Sequence, residues 1–552
     1  MKKWLITGTV VVFIGILAAN WLASNFYLQA DLTQEQRYSM AKETKQLLRN
    51  VEQPVEVFVF LESDQLPSAF KRLQQETRTL LRQFEQESNG QISFKFEDPI
   101  KNLTVEERQN TILELQERGI SPTNVRVKTK SGFSENLVFP GALINFGEKQ
   151  FPVQLLSGQR GQEDLNRSIE LLEYRFANAI AKLQRDNIAT VGFLQGHGEL
   201  SPQQSLDLRQ TLGDNFVRSR AIDLTVDTLL PQETPLLIVA KPTAAFSEAD
   251  KFQIDQYIMH GGKVIFAIDA MKMELDSLKT TWGGRNVAVD YQLNLDDQLF
   301  KYGLRINKNL VRDLQSKPIP IIVDDTGQSE LMPWTFYPVV SADQQHITTK
   351  NVSPISFEFV SSIDTLSIPG INTTVMLESS ANTGLVANPV LVDLEELRNP
   401  PRQGAFTQQN LPLAVLLEGQ FTSLYQYRSA QIDYPLQRQD QSTQTSICVI
   451  SDGDILKNEI LPNGETLPLG YDRGTGEQFG NKEFMMNLID YMLDPYHPLQ
   501  ARNKEFQIRL LNQTKVDQQR ANWQFMSIAL PLILLAVLGV LFHVVRKRRF
   551  TT

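Results

Sequence analysis

Cysteine is almost missing from this chain: Cys448 stands alone among 552 residues. No intrachain disulfide can form, and no cysteine-based zinc site can be built. The Cys-x-x-Cys pair of a redox enzyme is excluded for the same reason. Histidine is scarce as well. Of the five, His260, His346, His497 and His543 are scattered without metal-ligand spacing. The phosphate-loop pattern G-x-x-x-x-G-K-[ST] occurs nowhere. Its nearest approach is the glycine-rich stretch 470–480, where Asn481 separates Gly480 from Lys482 and no hydroxyl follows the lysine. Nucleotide hydrolysis by that route is therefore not expected. A G-x-S-x-G nucleophile elbow is absent. Asp452-Gly453-Asp454 is too short for a calcium loop and reads as a turn. Basic charge is also short: 54 Lys and Arg face 63 Asp and Glu, for a net charge of −9. Six of the basic residues sit at the two ends, which leaves −15 on the rest. A body that acidic argues against nucleic acid, whose phosphates need a basic face.

What the chain does have is two long apolar runs, one at each end. Phe525 to Val545 carries no charged side chain and is followed by Arg546, Lys547, Arg548 and Arg549. A helix rises about 1.5 Å per residue, so about twenty such residues cross a hydrocarbon core of roughly 30 Å. Pro531 lies near the start of the run, where a kink costs little. Trp523 sits at the level of an aromatic belt. At the other end Lys2 and Lys3 precede the apolar run Trp4–Leu22. That run is longer than the roughly 7–15 residues of a signal core. Trp21 also interrupts the small-x-small cleavage pattern around Ala19–Ala23, so an uncleaved anchor is favoured over a signal peptide. Basic residues beside both spans place both termini in the cytoplasm, in an inner membrane. Residues of about 28–522 then face the other side, the periplasm in a diderm cell.

Length and composition, 41% hydrophobic and 21% charged, fit a globular body of two to four domains. Residues 39–51 have helical spacing, and Val55–Leu61 reads as a buried strand. Phe70, Leu73, Thr77, Leu80, Leu81 and Phe84 mark one helix face, stopped by Asn89-Gly90. Ile92–Phe96 alternates as a half-buried strand, and Thr104-Val-Glu-Glu107 is a capping box. Strand-like segments follow at 125–128, 137–145 and 150–155. The order βαβαββ predicts a thioredoxin-like unit without its redox cysteines. Residues 163–184 predict one long linking helix. Ile188–Leu194 then opens a second pattern of alternating strands and helices, which predicts a parallel, doubly wound sheet. Its expected parts are a helix over 203–216, strands at 221–224 and 235–240, a helix capped by Ser247-Glu-Ala-Asp250, a strand at 263–269 and a helix at 296–302. A strand is expected at 319–323. Short strands such as 352–360 and 373–377 follow, and 411–417 and 446–451 return to the sheet. Residues 481–493 are amphipathic, and 507–519 read as a polar juxtamembrane helix. The fold class is thus α/β and membrane-anchored, with a transmembrane helix at each end. The expected boundaries are 1–28 for the first span, 29–160 for the thioredoxin-like unit and 161–185 for the linking helix. The central α/β domain takes 186–500, with a β-rich part at about 333–445. The juxtamembrane helix takes 501–522, and the last span with its basic tail 523–552.

The sharpest candidate site is the turn Gly196-His197-Gly198-Glu199, which follows the first strand of the predicted sheet. Ligands of such sheets bind at the carboxyl ends of the strands. His197 can act as acid, base or ligand near neutral pH, and glycines let the backbone approach an anion. Asp269 ends another strand and is placed in the same crevice with His197 and Glu199. The plainer reading is that the glycines shape a tight turn, His197 is an ordinary side chain and Asp269 is a cap or turn former. Catalytic residues, cofactors and metals are not indicated.

Certain short motifs share their order and spacing with a known family. They are Asp31-Leu-Thr-Gln-Glu-Gln-Arg-Tyr-Ser39, Pro54-Val-Glu-Val-Phe58, Leu73-Gln-Gln-Glu-Thr-Arg78, Phe94-Lys-Phe-Glu-Asp-Pro99, Gly196-His-Gly-Glu199, Phe246-Ser-Glu-Ala-Asp-Lys251, Gly261-Gly-Lys263 and Gly480-Asn-Lys-Glu-Phe484. With the two flanking spans, the chain resembles the gliding-motility-associated ABC transporter auxiliary family, GldG, of Bacteroidota. The resemblance implies a non-ATPase subunit with a large periplasmic region. Its implied partners are a membrane permease and a cytoplasmic ATPase, in gliding or a related envelope secretion, with envelope or motility proteins beyond them. It also implies a middle domain of glutamine-amidotransferase type that lacks its catalytic cysteine. Cys448 lies far along the chain from the turn where a nucleophile would sit. The family supplies no catalytic residues to carry over. Two rival readings stand beside it: a periplasmic glycan- or peptide-binding module using His197, Glu199 and Asp269, and an envelope-acting hydrolase or amidotransferase.

Overall fold

Strand β1 (Val55–Val59), with the burial alternation its sequence VEVFV dictates, begins the first sheet. The computed structural model describes residues 40–63, 66–129, 132–156, 161–184, 188–227, 229–322, 329–341, 346–350, 352–428, 434, 436–493 and 513–550. Helix α1 (Lys42–Arg49) precedes β1. Helix α2 (Ser68–Glu87), β2 (Ile92–Phe96) and α3 (Val105–Glu117) follow it. On α2 the residues Leu73, Thr77, Leu81 and Phe84 are buried, at the spacing of one helix face. Leu73, Leu81 and Phe84 pack in one cluster with Val55, Val57 and Val59. The expected capping box holds α3: Thr104 Oγ1 accepts from Glu107 N, and Glu107 Oε2 accepts from Thr104 N at 2.9 Å.

The chain continues through β3 (Thr123–Thr129), β4 (Gly132–Val138), β5 (Gly141–Phe146) and β6 (Lys149–Gln154). The sheet order is β2-β1-β5-β6, with β1 parallel to β2 and antiparallel to β5. Strands β3 and β4 form a separate hairpin. The single strand expected over 137–145 is really the end of β4 and most of β5. Pro140 has no N–H for a ladder, so the chain changes sheets there. The expected helix over 163–184 is likewise two, α4 (Gly161–Glu170) and α5 (Leu172–Leu183). At the break, Leu171 packs with Tyr174 and Ile347, while its neighbour Leu172 joins the cluster of the first sheet.

The central sheet begins with β7 (Thr190–Gln195), α6 (Leu206–Asp214), β8 (Arg218–Asp223), β9 (Leu236–Ala240), α7 (Glu248–Met259) and β10 (Lys263–Ala267). A long excursion follows: β11 (Met271–Lys272), α8 (Leu275–Thr280), β12 (Arg285–Asp290), α9 (Asp296–Tyr302), β13 (Leu304–Ile306), β14 (Asn309–Asp313), β15 (Ser316–Ile322), β16 (Ser329–Val340), β17 (Ile355–Ser356), β18 (Ile363–Thr365), β19 (Ile371–Glu378), β20 (Thr383–Ala387) and β21 (Val390–Asp393). The chain rejoins the central sheet at β19 and again, after β20 and β21, with β22 (Pro412–Gly419) and β23 (Thr445–Ile450). Then come the small hairpin of β24 (Tyr471–Asp472) and β25 (Glu477–Gln478), and helix α10 (Asn481–Leu493).

The seven-stranded order is β19-β22-β23-β10-β9-β7-β8. Strands β8, β7, β9, β10 and β23 run parallel; β22 and β19 are antiparallel additions. Strands β9 and β23 are buried at every residue, which is why their sequences LLIVA and TSICVI barely alternate. One face packs Leu208 and Leu212 of α6 with Phe484 and Leu488 of α10. The other packs Ile254 and Tyr257 of α7 with Leu299 and Tyr302 of α9. The sheet is therefore doubly wound. The excursion has its own aromatic core of Trp334, Phe336, Tyr337 and Phe359.

Two further expectations about strands fail for identifiable reasons. Strand β8 starts three residues before the expected 221–224. It is an edge strand, and Arg218, Ser219 and Arg220 are exposed on it, so its start carries no apolar signal. Over 352–360 only Ile355–Ser356 pair as a strand. The Glu358 N–H is donated to the Asp452 carboxylate at 2.7 Å instead of to a ladder.

Residues 39–503 form one unit, and 504–552 belong to a second. In the second, α11 (Gln513–Phe550) is one helix of 38 residues that takes in residues 513–522 of the expected juxtamembrane helix and the whole apolar run; residues 501–512 of that expected helix lie outside the described residues. Its segment Phe525–Val544 is long and apolar enough to cross a membrane, with a mean hydropathy of 2.7. The first apolar run, Trp4–Leu22, lies outside the described residues.

Candidate functional site at the carboxyl edge of the central sheet

Parallel strands end together, so the residues just after β7, β9, β10 and β23 meet along one edge. Two polar groups are built there.

The first is the turn after β7. Gly196 (φ +118°) and Gly198 (φ +73°) lie in the left-handed region that favours glycine. A Cβ on Gly198 would lie 2.1 Å from Thr243 Oγ1, so the second glycine also permits close approach to the turn after β9. Thr243 N and Ala244 N both donate to His197 O at 2.8 Å. The imidazole of His197 is 8% exposed and stacks on Phe246 with ring centroids 3.9 Å apart. Its Nδ1 lies 3.2 Å from Glu199 Oε1 and its Nε2 3.2 Å from Asp250 Oδ2. Burial opposes the charged imidazole, but the two carboxylates outweigh it and raise the pKa of His197 above the usual histidine range. Glu199 Oε2 also accepts from His197 N at 2.7 Å, so the turn's own carboxylate takes the place an external anion would have. Asp250 is at the same time the capping-box residue of α7, accepting from Ser247 N and Oγ. The imidazole thus ties the β7 turn to the start of α7.

The second group gathers around Lys241. This residue directly follows β9 at φ +53°, left-handed without being glycine, directly before Pro242, which disfavours the ordinary helical region for its predecessor. Its ammonium contacts Asp269 Oδ2 at 3.2 Å, Glu274 Oε1 at 2.5 Å and Asp454 Oδ2 at 2.6 Å. Lys457 adds contacts to Glu274 and Asp454 at 3.0 and 3.1 Å. Gly453 N donates to Asp269 Oδ1 at 2.5 Å, and Asp454 N to Asp452 Oδ1 at 2.7 Å. A Cβ on Gly453 would lie 2.5 Å from Lys241 Cβ, so only glycine fits between the strand ends.

Burial pushes Asp269 up to about 6, although Lys241 pulls it down. Burial also pushes Asp452 well up, reinforced by Asp269 and Asp454. For Asp454 burial is outweighed by Lys241 and Lys457, and its pKa falls. Lys241 itself is held charged: its carboxylates overcome its burial. Ligand atoms of Asp269, Asp452 and Asp454 lie within 4.8 Å of one another, a spacing that suits a cation. The cation in contact with Asp269 and Asp454 is the Lys241 ammonium. This group can hold charge and proton in a fixed place and lock three strand ends together.

The structure therefore joins His197 to Glu199 and puts Asp269 in a different group, with Lys241, Asp452 and Asp454. Sequence reasoning read Asp452-Gly453-Asp454 as a turn, where the structure has a bend at Gly453 leading into a short 3-10 helix, Asp454–Leu456, and missed its partnership with Asp269. The signal was present: Ala240-Lys241, Ile268-Asp269 and Ser451-Asp452 each put a charge just past a buried apolar strand. Cys448 lies within β23, buried against Met376, with its thiol pushed up by burial, far from the state of a nucleophile.

Residues 189–488, more than half of the chain, match the family described as an ABC-type uncharacterized transport system. Residues 34–145 match a domain of unknown function. No curated protein matches the sequence. Among solved structures, the mmIFT52 N-terminal domain aligns at 11% identity and a TM-score of 0.30, covering 55% of this chain and 97% of that one. The exo-beta-1,4-mannosidase Op5Man5 from Opitutaceae bacterium strain TAV5 aligns at 9% identity and a TM-score of 0.21, covering 54% of this chain and 36% of that one. At these scores neither alignment carries weight for fold or function.

Proposed function

The chain belongs to the auxiliary family of ABC-type transport systems, and from that premise we propose that it is a membrane-anchored, non-ATPase subunit of such a system. The observation that carries this reading is helix α11, whose 20-residue apolar segment ends a chain with a transport-family body. Trp4–Leu22 is read as a second anchor, with both termini cytoplasmic and the body periplasmic. The N-terminal module, read as thioredoxin-like, and the central domain then serve coupling or recognition. The partners are a membrane permease and a cytoplasmic ATPase. The sequence motifs favour the gliding-associated branch of the family in Bacteroidota, and hence motility or envelope secretion.

On this reading the carboxyl-edge groups are scaffolding. His197, Glu199 and Asp250 are saturated by one another, and Lys241 is saturated by carboxylates. The test is purification in mild detergent of the full chain expressed together with ABC permease and ATPase subunits from its own genome. A stable complex of all three supports the proposal. A chain lacking residues 1–38 and 504–552 that restores full transport or motility in a deletion strain overturns it.

A further inference from the structure

Away from the carboxyl edge, a cleft of about 850 Å³ opens beside α9 and β13. Its size suits a ligand larger than a single ion. The apolar part of its wall includes Phe300, Ile306 and Leu424. Phe300 is 54% exposed on a helix that otherwise buries its large apolar residues Leu299 and Tyr302.

The polar part of the wall has spare donors and few spare acceptors. Arg305 uses Nη2 on Asp364 at 2.6 Å and Nε on Asn307 at 3.1 Å, which leaves Nη1. Arg428 uses Nη1 on Asp297 at 2.8 Å, which leaves Nη2 and Nε. Lys301 has no ion-pair partner among the described residues. On the acceptor side, Asp297 gives one oxygen to Lys251 and the other to Arg428, and Asp296 gives one oxygen to Lys308, which leaves its Oδ1 as the one spare carboxylate oxygen of the wall. Asn309 is engaged at both ends of its amide by Ser362, and Asn307 donates to the same hydroxyl. The guanidinium forks suit carboxylates, and an arginine has no acceptor of its own. A sugar would need many free groups of both kinds; the wall offers donors beside apolar surface.

We propose that this cleft binds a short acidic segment of a partner protein, seating an apolar side chain against Phe300, Ile306 and Leu424 and carboxylates on Lys301, Arg305 and Arg428. The proposal does not depend on the transport reading, since any partner with such a segment qualifies.

The probe is a fluorescein-labelled, blocked hexapeptide of four glutamates around two central leucines, titrated against the full chain in detergent. Saturable anisotropy that weakens with added salt is expected. Lys301→Glu and Phe300→Ala should each weaken binding about tenfold or more. The same loss is expected when serines replace the leucines, and the lysine counterpart of the peptide should not bind. Phe300 is half-exposed and Lys301 is not fully buried, so an unchanged circular dichroism spectrum and thermal midpoint should show that both variants fold. Equal binding of wild type and variants overturns the proposal, as does binding of the serine peptide as tight as the leucine one. Binding of an oligouronate that both variants abolish, with no binding of the peptide, assigns the cleft to a glycan and also overturns it.

Discussion

His197 holds two carboxylates at 3.2 Å on opposite ring nitrogens, an arrangement that is complete only when the imidazole is charged. Its folded pKa is raised, so the folded state binds the proton more tightly than the unfolded one. The resulting stability is fully present below the unfolded value, about 6.5, and is lost as pH rises through the folded value. His197→Gln should therefore lower the denaturation midpoint at pH 6, with the gap from wild type shrinking as pH rises above about 6.5; a gap that is constant from pH 6 to 9 would contradict it. Asp269 also has a raised pKa, but because burial disfavours its charged form. Its folded pKa is raised to about 6 by burial, so the folded state holds the extra proton between about 4 and 6. The wild type should lose stability relative to Asp269→Asn across that window, and the difference should level off above it. Urea titrations at half-unit steps of pH would show the slope. Only half of this was legible in the sequence. The Gly-His-Gly-Glu turn shows itself because its residues are adjacent. The Lys241 group does not, since its members are drawn from positions 241 to 457 and meet only after the strand order is known.

Helix α10 was readable end to end, because its amphipathic run is bounded by Gly480 before it and Pro495 after it. What it touches was not readable. Asn481 exchanges bonds with the backbone of Ser356, Lys482 pairs with Asp207, and Glu483 with Arg167. Asn487 donates to Thr348 O, and Asp490 pairs with Lys182 at 2.9 Å. One helix thus ties α4, α5, α6 and the excursion to the sheet it covers. The Lys182–Asp490 pair is the most buried of these, with side chains 1% and 6% exposed. Breaking a buried pair leaves one charge without compensation, so Lys182→Met should cost about 3–5 kcal/mol. Lys182→Met with Asp490→Leu should recover most of that loss. A double variant as unstable as the single would mean that the helix contact depends on packing at this point and not on charge. The pairing spans 308 positions in the chain, and periodicity carries no information at that range.

For the molecule as a whole, the question is what each end contributes. The body, residues 39–503, has its own hydrophobic clusters: one within the first sheet's module and one on each face of the central sheet. The clustered residues of these cores all lie between Met40 and Leu493. Removing 504–552 should therefore leave the body folded, with an unchanged thermal midpoint for its main transition. It should also remove the only span that the described residues contain. Whether the shortened chain stays on the membrane then depends on Trp4–Leu22 alone. If that run is an uncleaved anchor, the shortened chain resists alkaline carbonate extraction and keeps its initiating methionine. If it is a cleaved signal, the shortened chain becomes extractable and begins near residue 24. Alkaline extraction read together with N-terminal sequencing separates the two outcomes, and only the first leaves the body held at both ends in the full-length chain. A body held at both ends can transmit movement of the helices as well as remain attached, because two posts fix an orientation where one permits rotation. An extractable product would reduce α11 to a tether, and the coupling role proposed for the body would then have to run through contacts outside the membrane.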